Sequence, residues 1–368
     1  MAVTKMNPFT PTFGRVPFAL AGRNELIDDV MYGLANQPGD PNRATIFIGP
    51  RGSGKTVLLS TIAQNAAEQG WINVYAVAAE GMFGKVLREL RQKTEHLIEK
   101  TSDYDITSIQ VGSIGVGREM HHDEEPIWFQ VKRLVEELNR HDIPVLFTID
   151  EIDPGCKDLI EFIAEYQTYV MEEKDVALLM AGLPSKVSDL LLDEHVSFIR
   201  RSFQRTLGPI DDADVREALR TTIEAGGKSI DEDALEIAVE ATGGFAFAIQ
   251  LVGYGLWRCA GQRERITLVD AERAIKNLSH DMEHMVVIPT LREISPREID
   301  FLHAMAQDEG PSSMGEIAHR MGIGMSNASN LRRRLIDRGI VSGPRVGMVE
   351  FELPLIRDFL RVHPEFRY

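Results

Sequence analysis

The eight residues Gly49-Pro50-Arg51-Gly52-Ser53-Gly54-Lys55-Thr56 offer phosphate chemistry. They satisfy G-x-x-x-x-G-K-[ST], with an apolar run, Ala44–Ile48, before them and a helix-like stretch, Val57–Ala63, after them. That strand–loop–helix context separates a phosphate loop from a chance match. Glycines let the backbone curl so that successive N–H groups face one anion, and the helix amino end adds partial positive charge. Lys55 is then placed to reach the β- and γ-phosphates, and the Thr56 hydroxyl to ligate Mg²⁺. The ligand expected is ATP or ADP with Mg²⁺.

A second cluster is acidic. Val145–Ile149 is a short apolar run ending in Asp150-Glu151-Ile152-Asp153, as a buried parallel strand would end. An acid at the carboxyl end of such a strand can hold the Mg²⁺ beside Thr56, which gives Asp150 that role. Strand side chains alternate, so Glu151 faces elsewhere and is the candidate to orient an attacking water. The competing reading makes these acids a cap for the helix beginning near Lys157, and Asp153 fits it better than it fits catalysis.

The elements that must hold these groups alternate. Helix, strand and helix spacing recurs through Ala21–Asn36, Ala44–Ile48, Val57–Gln69, Ile72–Val77, Gly81–Lys100, Glu125–Arg140, Val145–Asp150, Lys157–Glu172 and Asp175–Met180. That order predicts a parallel sheet covered on both faces by helices. Residues 1–20 read as an extended arm, and alternation with glycines over 104–119 suggests an inserted β-ribbon. His121-His122 followed by Asp123-Glu124-Glu125 has poor metal spacing, and these acids suit a helix start before Pro126.

From about Leu207 the strand signals stop, and four helical segments to His280 predict an all-helical lid, most of them opened by an acidic or Thr cap. The tail begins with Ser295-Pro296-Arg297-Glu298, a capping box with Pro in the first turn. A short helix Met314–Met321, a Gly322-Ile323-Gly324 turn, a second helix Ser326–Arg338 capped by Ser326, and a hairpin over 340–353 follow. That order is a winged helix-turn-helix. The expected units are therefore 1–206, 207–289 and 290–368.

Charge separates the tail from the rest. The chain of 368 residues carries a net −16. Residues 290–368 hold eleven Lys/Arg against eleven Asp/Glu, so the acidity lies in 1–289. Between Ser326 and Arg345 there are five arginines, Arg332, Arg333, Arg334, Arg338 and Arg345, and one acid, Asp337. The acidic body excludes a protein that coats nucleic acid generally; the basic stretch leaves a local DNA contact open. Two cysteines, Cys156 and Cys259, give no disulfide framework, and no apolar stretch approaches the roughly twenty residues that span a bilayer. The expectation is a cytoplasmic protein with no membrane partner.

With these motifs in hand, the chain resembles an AAA+-type P-loop ATPase with a C-terminal winged helix. It is similar to the origin-recognition and replication-initiator branch and to archaeal-type and STAND ATPases. The resemblance rests on GPRGSGKT, the IDEID strand and Phe18-Ala19-Leu20-Ala21-Gly22-Arg23, and runs from Phe18 to about Leu360. It implies that Phe18 and Gly22 face the adenine and ribose. The family's polar sensor after the next strand has Ser185 as its nearest counterpart here. The lid motif Thr242-Gly243-Gly244-Phe245-Ala246 has Ala246 where relatives carry Pro, and Ala246–Gln250 contains no Arg. The resemblance also implies an arginine finger, at Arg200 or Arg201, that would serve a neighbouring subunit. The alternative is a surface pair that solvates the sheet edge.

Two functions fit these readings. One is a slowly hydrolysing ATPase switch that binds DNA. Arg332, Arg333 and Arg334 would then contact phosphates, and Ser326, Asn327 and Asn330 would reach bases. The other is a signalling ATPase whose winged helix docks a protein.

Overall fold

The computed structural model describes residues 6–12, 16–101, 126–352 and 354–367. The expected ribbon at 104–119 and the stretch 121–125 lie outside them. Five strands, β1 (Ala44–Ile48), β2 (Ile72–Val77), β3 (Val145–Asp150), β4 (Val176–Gly182) and β5 (Phe203–Thr206), form one parallel sheet in the order β2-β3-β4-β1-β5. β3 and β4 are buried along their whole length, which is why they read as unbroken apolar runs.

Successive strand residues feed opposite faces. Phe47, Leu146 and Leu179 pack against α1 (Asn24–Ala35) and α2 (Lys55–Glu68). Ile46, Phe147 and Leu178 pack against α3 (Met82–Thr101), α4 (Ile127–Arg140), α5 (Lys157–Met171) and α6 (Pro184–Leu192). The strand β5 was not expected. Its Phe203-Gln204-Arg205-Thr206 is mostly exposed and has no apolar alternation, so only its pairing with β1 makes it a strand.

The lid comprises α7 (Asp212–Ala225), α8 (Glu232–Thr242), α9 (Ala246–Ala260) and α10 (Leu268–Met282). It is not wholly helical as expected: β6 (Ser229–Ile230) and β7 (Arg265–Ile266) pair in parallel. The two loops are drawn together by Lys228, whose ammonium donates to the carbonyls of Gly261 and Arg263 and lies over the Trp257 ring. Asp211 and Asp231 occupy the caps of α7 and α8, yet neither side chain accepts a cap hydrogen bond; Asp231 pairs with Arg265 instead.

The arm is part of the lid. Phe9 is 2% exposed and, with Ala21, joins the lid core. Its ring lies where any side chain at Gly253 of α9 would stand. The Thr10 N–H donates to Gln250 and the Asn7 amide to the Tyr254 carbonyl, so three successive contacts grip α9. Phe9→Ala should remove about 3–5 kcal/mol of stability in chemical denaturation, the usual cost of emptying a phenylalanine site. A loss below about 1 kcal/mol would mean that the ring is not held there.

The tail contains α11 (Ile288–Arg292), α12 (Pro296–Met305), α13 (Met314–Met321), α14 (Met325–Asp337) and α15 (Pro354–Val362). Strands β8 (Ser312–Ser313), β9 (Val341–Ser342) and β10 (Met348–Phe351) form an antiparallel sheet in the order β8-β10-β9. The capping box at Ser295 and Glu298 forms as expected. Ser326 does not cap α14: the cap is Gly324, and Ser326 lies in the first turn. Ile299, Phe301, Ile317, Leu335 and Val349 fill the tail's own core.

Candidate nucleotide site

At the carboxyl end of β1 the chain turns sharply. The Gly49 N–H donates to the Gly182 carbonyl at 3.3 Å, tying the loop to the end of β4. Gly52 (φ +80°) and Gly54 (φ +89°) take the left-handed conformation that curls the loop into a concave nest. A Cβ at Gly49 would lie 2.6 Å from Ser53 Oγ, so the turn has room for glycine alone. Gly54 caps α2 without a side-chain bond, and the first turn of any helix leaves N–H groups free for an anion.

Lys55 is 8% exposed, and its ammonium donates to the Gly49 and Pro50 carbonyls at 2.8 Å each. Burial draws its pKa below the ordinary lysine value; Glu151 and Asp150 oppose the shift, and the Arg51 guanidinium adds to it. Thr56 Oγ1 donates to Asp150 Oδ2 at 2.5 Å. The two residues come from positions 94 apart, and Asp150 is 2% exposed. A hydroxyl and a carboxylate converging below a lysine are hard oxygen donors of the kind Mg²⁺ takes, and the glycine-lined nest beside them suits phosphate. Among the described residues, no group of three or more His, Cys, Asp or Glu is placed to hold a metal ion.

Glu151 does not continue β3. Its φ is +54°, and its N–H donates to Asp150 Oδ1 at 2.9 Å. A non-glycine residue held there costs of order 1 kcal/mol or more, and the Glu151 charge is felt at the Lys55 ammonium together with that of Asp150. Asp153 does not cap α5. It accepts from the Gly155 N–H and pairs with Lys186 at 3.1 Å, while Cys156 stands at the head of α5.

The lid closes directly on the loop. The Phe247 N–H at the head of α9 donates to the Gly52 carbonyl at 3.3 Å, and a Cβ at Gly54 would meet Ala246 Cβ at 3.3 Å. Ala246 and Phe247 are site-lining residues that motif reading left without a role. Phe18 is 63% exposed. Gly22 (φ +58°) fits against Ile210 and Asp214, and Arg23 donates to the Gly208 carbonyl at 2.7 Å. The box therefore lies along the hinge that passes over Gly49, where Leu207 donates to the Ile48 carbonyl at 2.6 Å.

Ser185 does not face the loop. Its hydroxyl donates to the Ile336 carbonyl at the end of α14, 3.1 Å away, because the tail packs on α6. Arg200 and Arg201 sit at the amino end of β5, whereas the loop leaves the carboxyl end of β1, its parallel neighbour. The four residues of β5 alone separate them by about 10 Å, and Arg200 donates to the Leu191 carbonyl. Neither arginine can serve this chain's own phosphate loop.

Residues 40–191 match the family model described as AAA domain. Residues 285–360 match a domain of unknown function (DUF8462). No curated protein matches the chain. Among solved structures, the Walker-type ATPase paby2304 of Pyrococcus abyssi is similar at 17% identity and TM-score 0.68, over 93% of this chain and 96% of that one. The Aeropyrum pernix ORC2 protein in its ADPNP–ADP complexes is similar at 12% identity and TM-score 0.60, over 97% and 98%. Cdc6p from Pyrobaculum aerophilum is similar at 17% identity and TM-score 0.51, over 96% of each chain. The match to the AAA model falls on the α/β unit, and the chain shares its fold with these archaeal proteins. Among the described residues, no helix is long and apolar enough to cross a membrane.

Proposed function

We propose that this protein is a slowly hydrolysing ATPase that works as a nucleotide-dependent switch and binds DNA through a winged helix formed by α12–α15 and their sheet. The observation that carries the nucleotide half is the Thr56–Asp150 contact beneath the buried Lys55. The ADPNP–ADP complexes named for the similar ORC2 protein agree with it. Mg²⁺ held by Thr56 and Asp150 would neutralise phosphate charge. Lys55 would orient the phosphates, α9 would exclude water above them, and Glu151 would hold the attacking water. Slow turnover follows from the absence of an Arg in Ala246–Gln250 and from Ser185 being engaged elsewhere. Arg200 or Arg201 would act as a finger in a neighbouring copy, and Phe18 with Gly22 would border the adenine.

The exposed face of α14 supports the DNA half. Ser326, Asn327, Asn330, Arg333 and Arg334 are all solvent-facing. The five-arginine patch shrinks, however. Arg338 is bound to the Glu293 carbonyl, and Arg332 lies across Gly343 with a buried Nε, leaving Arg333, Arg334 and Arg345 exposed. Each phosphate contact adds about 0.9 to the slope of log K against log salt. Replacing Arg333, Arg334 and Arg345 by Ala should flatten the slope measured by fluorescence anisotropy by about two to three units. A protein-docking role is the second reading, favoured by the tail's balanced charge. An unchanged slope in the triple variant, or no DNA binding at low salt, selects it.

A further inference from the structure

Two groups beside the phosphate site are engaged by the tail. Arg51, inside the phosphate loop, pairs with Glu293 at 3.4 Å. Ser185, three residues beyond β4, donates to the Ile336 carbonyl. Around them Leu183 packs on Gly339, where a Cβ would lie 3.0 Å from it, and Arg338 donates to the backbone carbonyl of the same Glu293. Gly182, next to Leu183, is the residue whose carbonyl anchors Gly49. The tail therefore rests on the rim of the site at two points.

Resting on the nucleotide reading above, we infer that Arg51 reads the third phosphate of the bound nucleotide and that tail docking competes for it through Glu293. Arg51 has the chemistry: a guanidinium is a fixed, always charged fork suited to phosphate oxygens. It also has the position. It lies four residues before Lys55, and its charge is felt at the Lys55 ammonium, whose pKa is lowered mainly by burial and further by Arg51. The side chain is half exposed, as is that of Glu293, so turning it toward a phosphate breaks only one exposed ion pair. The lid supplies no arginine for this task over Ala246–Gln250.

Arg338 is poorly placed to follow Arg51. Glu298 is 1% exposed, its Oε2 serves the capping box, and its Oε1 has only the Arg338 guanidinium, 3.9 Å away. Withdrawing Arg338 would strand a buried carboxylate oxygen. The seam that parts is the Arg51–Glu293 pair, together with the Ser185 and Leu183 contacts. Coupling is reciprocal: docking weakens triphosphate binding by the same factor by which triphosphate weakens docking. For an exposed ion pair that factor is modest, about 1.5- to fivefold.

The test uses the full chain with Mg²⁺, a non-hydrolysable ATP analogue and ADP, titrated by calorimetry. Glu293→Gln should raise affinity for the analogue about 1.5- to fivefold and leave ADP affinity unchanged. Arg51→Ala should lower analogue affinity relative to ADP by at least that factor and make Glu293→Gln silent in the double variant. Hydrogen exchange over residues 183–187 and 336–340 should rise with the analogue and not with ADP. Equal effects of Glu293→Gln on both nucleotides, additivity in the double variant, or an exchange response that does not distinguish them would overturn the inference while leaving nucleotide binding intact. Failure of wild type to bind either nucleotide would instead remove the reading beneath it, and the inference with it.

Discussion

Replacing Lys55 by alanine should weaken ATP and ADP binding about thirty- to several-thousandfold, read by calorimetry. The ammonium is almost fully buried and is held by two loop carbonyls at 2.8 Å. Those carbonyls aim it into the nest, so it exchanges neutral acceptors for phosphate oxygens without reorganising. Removing one partner of a buried, hydrogen-bonded charge pair costs about 2–5 kcal/mol, and each 1.4 kcal/mol is tenfold in Kd. Folding should survive, because the variant loses only two hydrogen bonds to loop carbonyls, each worth about 1 kcal/mol. A melting curve near that of wild type with no heat of binding is the expected pair of results. Wild-type affinity in Lys55→Ala would put the phosphate site elsewhere.

How much of this was legible beforehand depends on the range of the signal. The phosphate loop is a local pattern: eight consecutive residues set their own turn, and the flanking strand and helix appear where the apolar spacing puts them. Asp150 was legible because its strand ends in acids downstream of a phosphate loop, although its 2.5 Å contact with Thr56 is a tertiary fact. The features that stayed hidden depend on partners far away in sequence. Phe9 is one of three phenylalanines in an aperiodic stretch, and its partner Gly253 has no signature either. β5 is polar and exposed, a strand only by virtue of β1. Ser185 is the polar residue nearest the sensor position, and its hydroxyl is taken up by the docking of α14 on α6.

The tail follows the same rule. The capping box at Ser295 involves residues three apart and is local, so it was legible. The start of α14 was misjudged because Ser326 is a better N-cap by type than Gly324, and the left-handed Gly322 closes the preceding turn early enough for the helix to begin at Met325. The arginine count was legible, but the state of each arginine was not. Arg338 is held by Glu293 and Arg332 by the hairpin, which are contacts between elements. Composition therefore overstated the free positive charge.

Glu151→Gln should retain ATP affinity within about threefold while phosphate release falls by roughly a hundred- to ten-thousandfold, the range expected on losing a positioned general base. The geometry makes this substitution clean. The Glu151 N–H is already satisfied by Asp150 Oδ1, so the turn does not depend on the side chain. Glutamine keeps the shape and removes only the charge and basicity. Two electrostatic effects on binding oppose each other: the phosphates lose a repelling neighbour, and the Lys55 ammonium loses one of the charges that offset its burial. A companion variant separates base from backbone. Glu151→Gly also lacks the carboxylate, yet glycine accepts a φ of +54° without strain, so it should gain up to about 1 kcal/mol of stability while turnover stays lost. Both variants losing turnover, with stability rising only in Glu151→Gly, assigns the role to the carboxylate and the cost to the turn. Unchanged phosphate release in Glu151→Gln would move the water-orienting group off this residue.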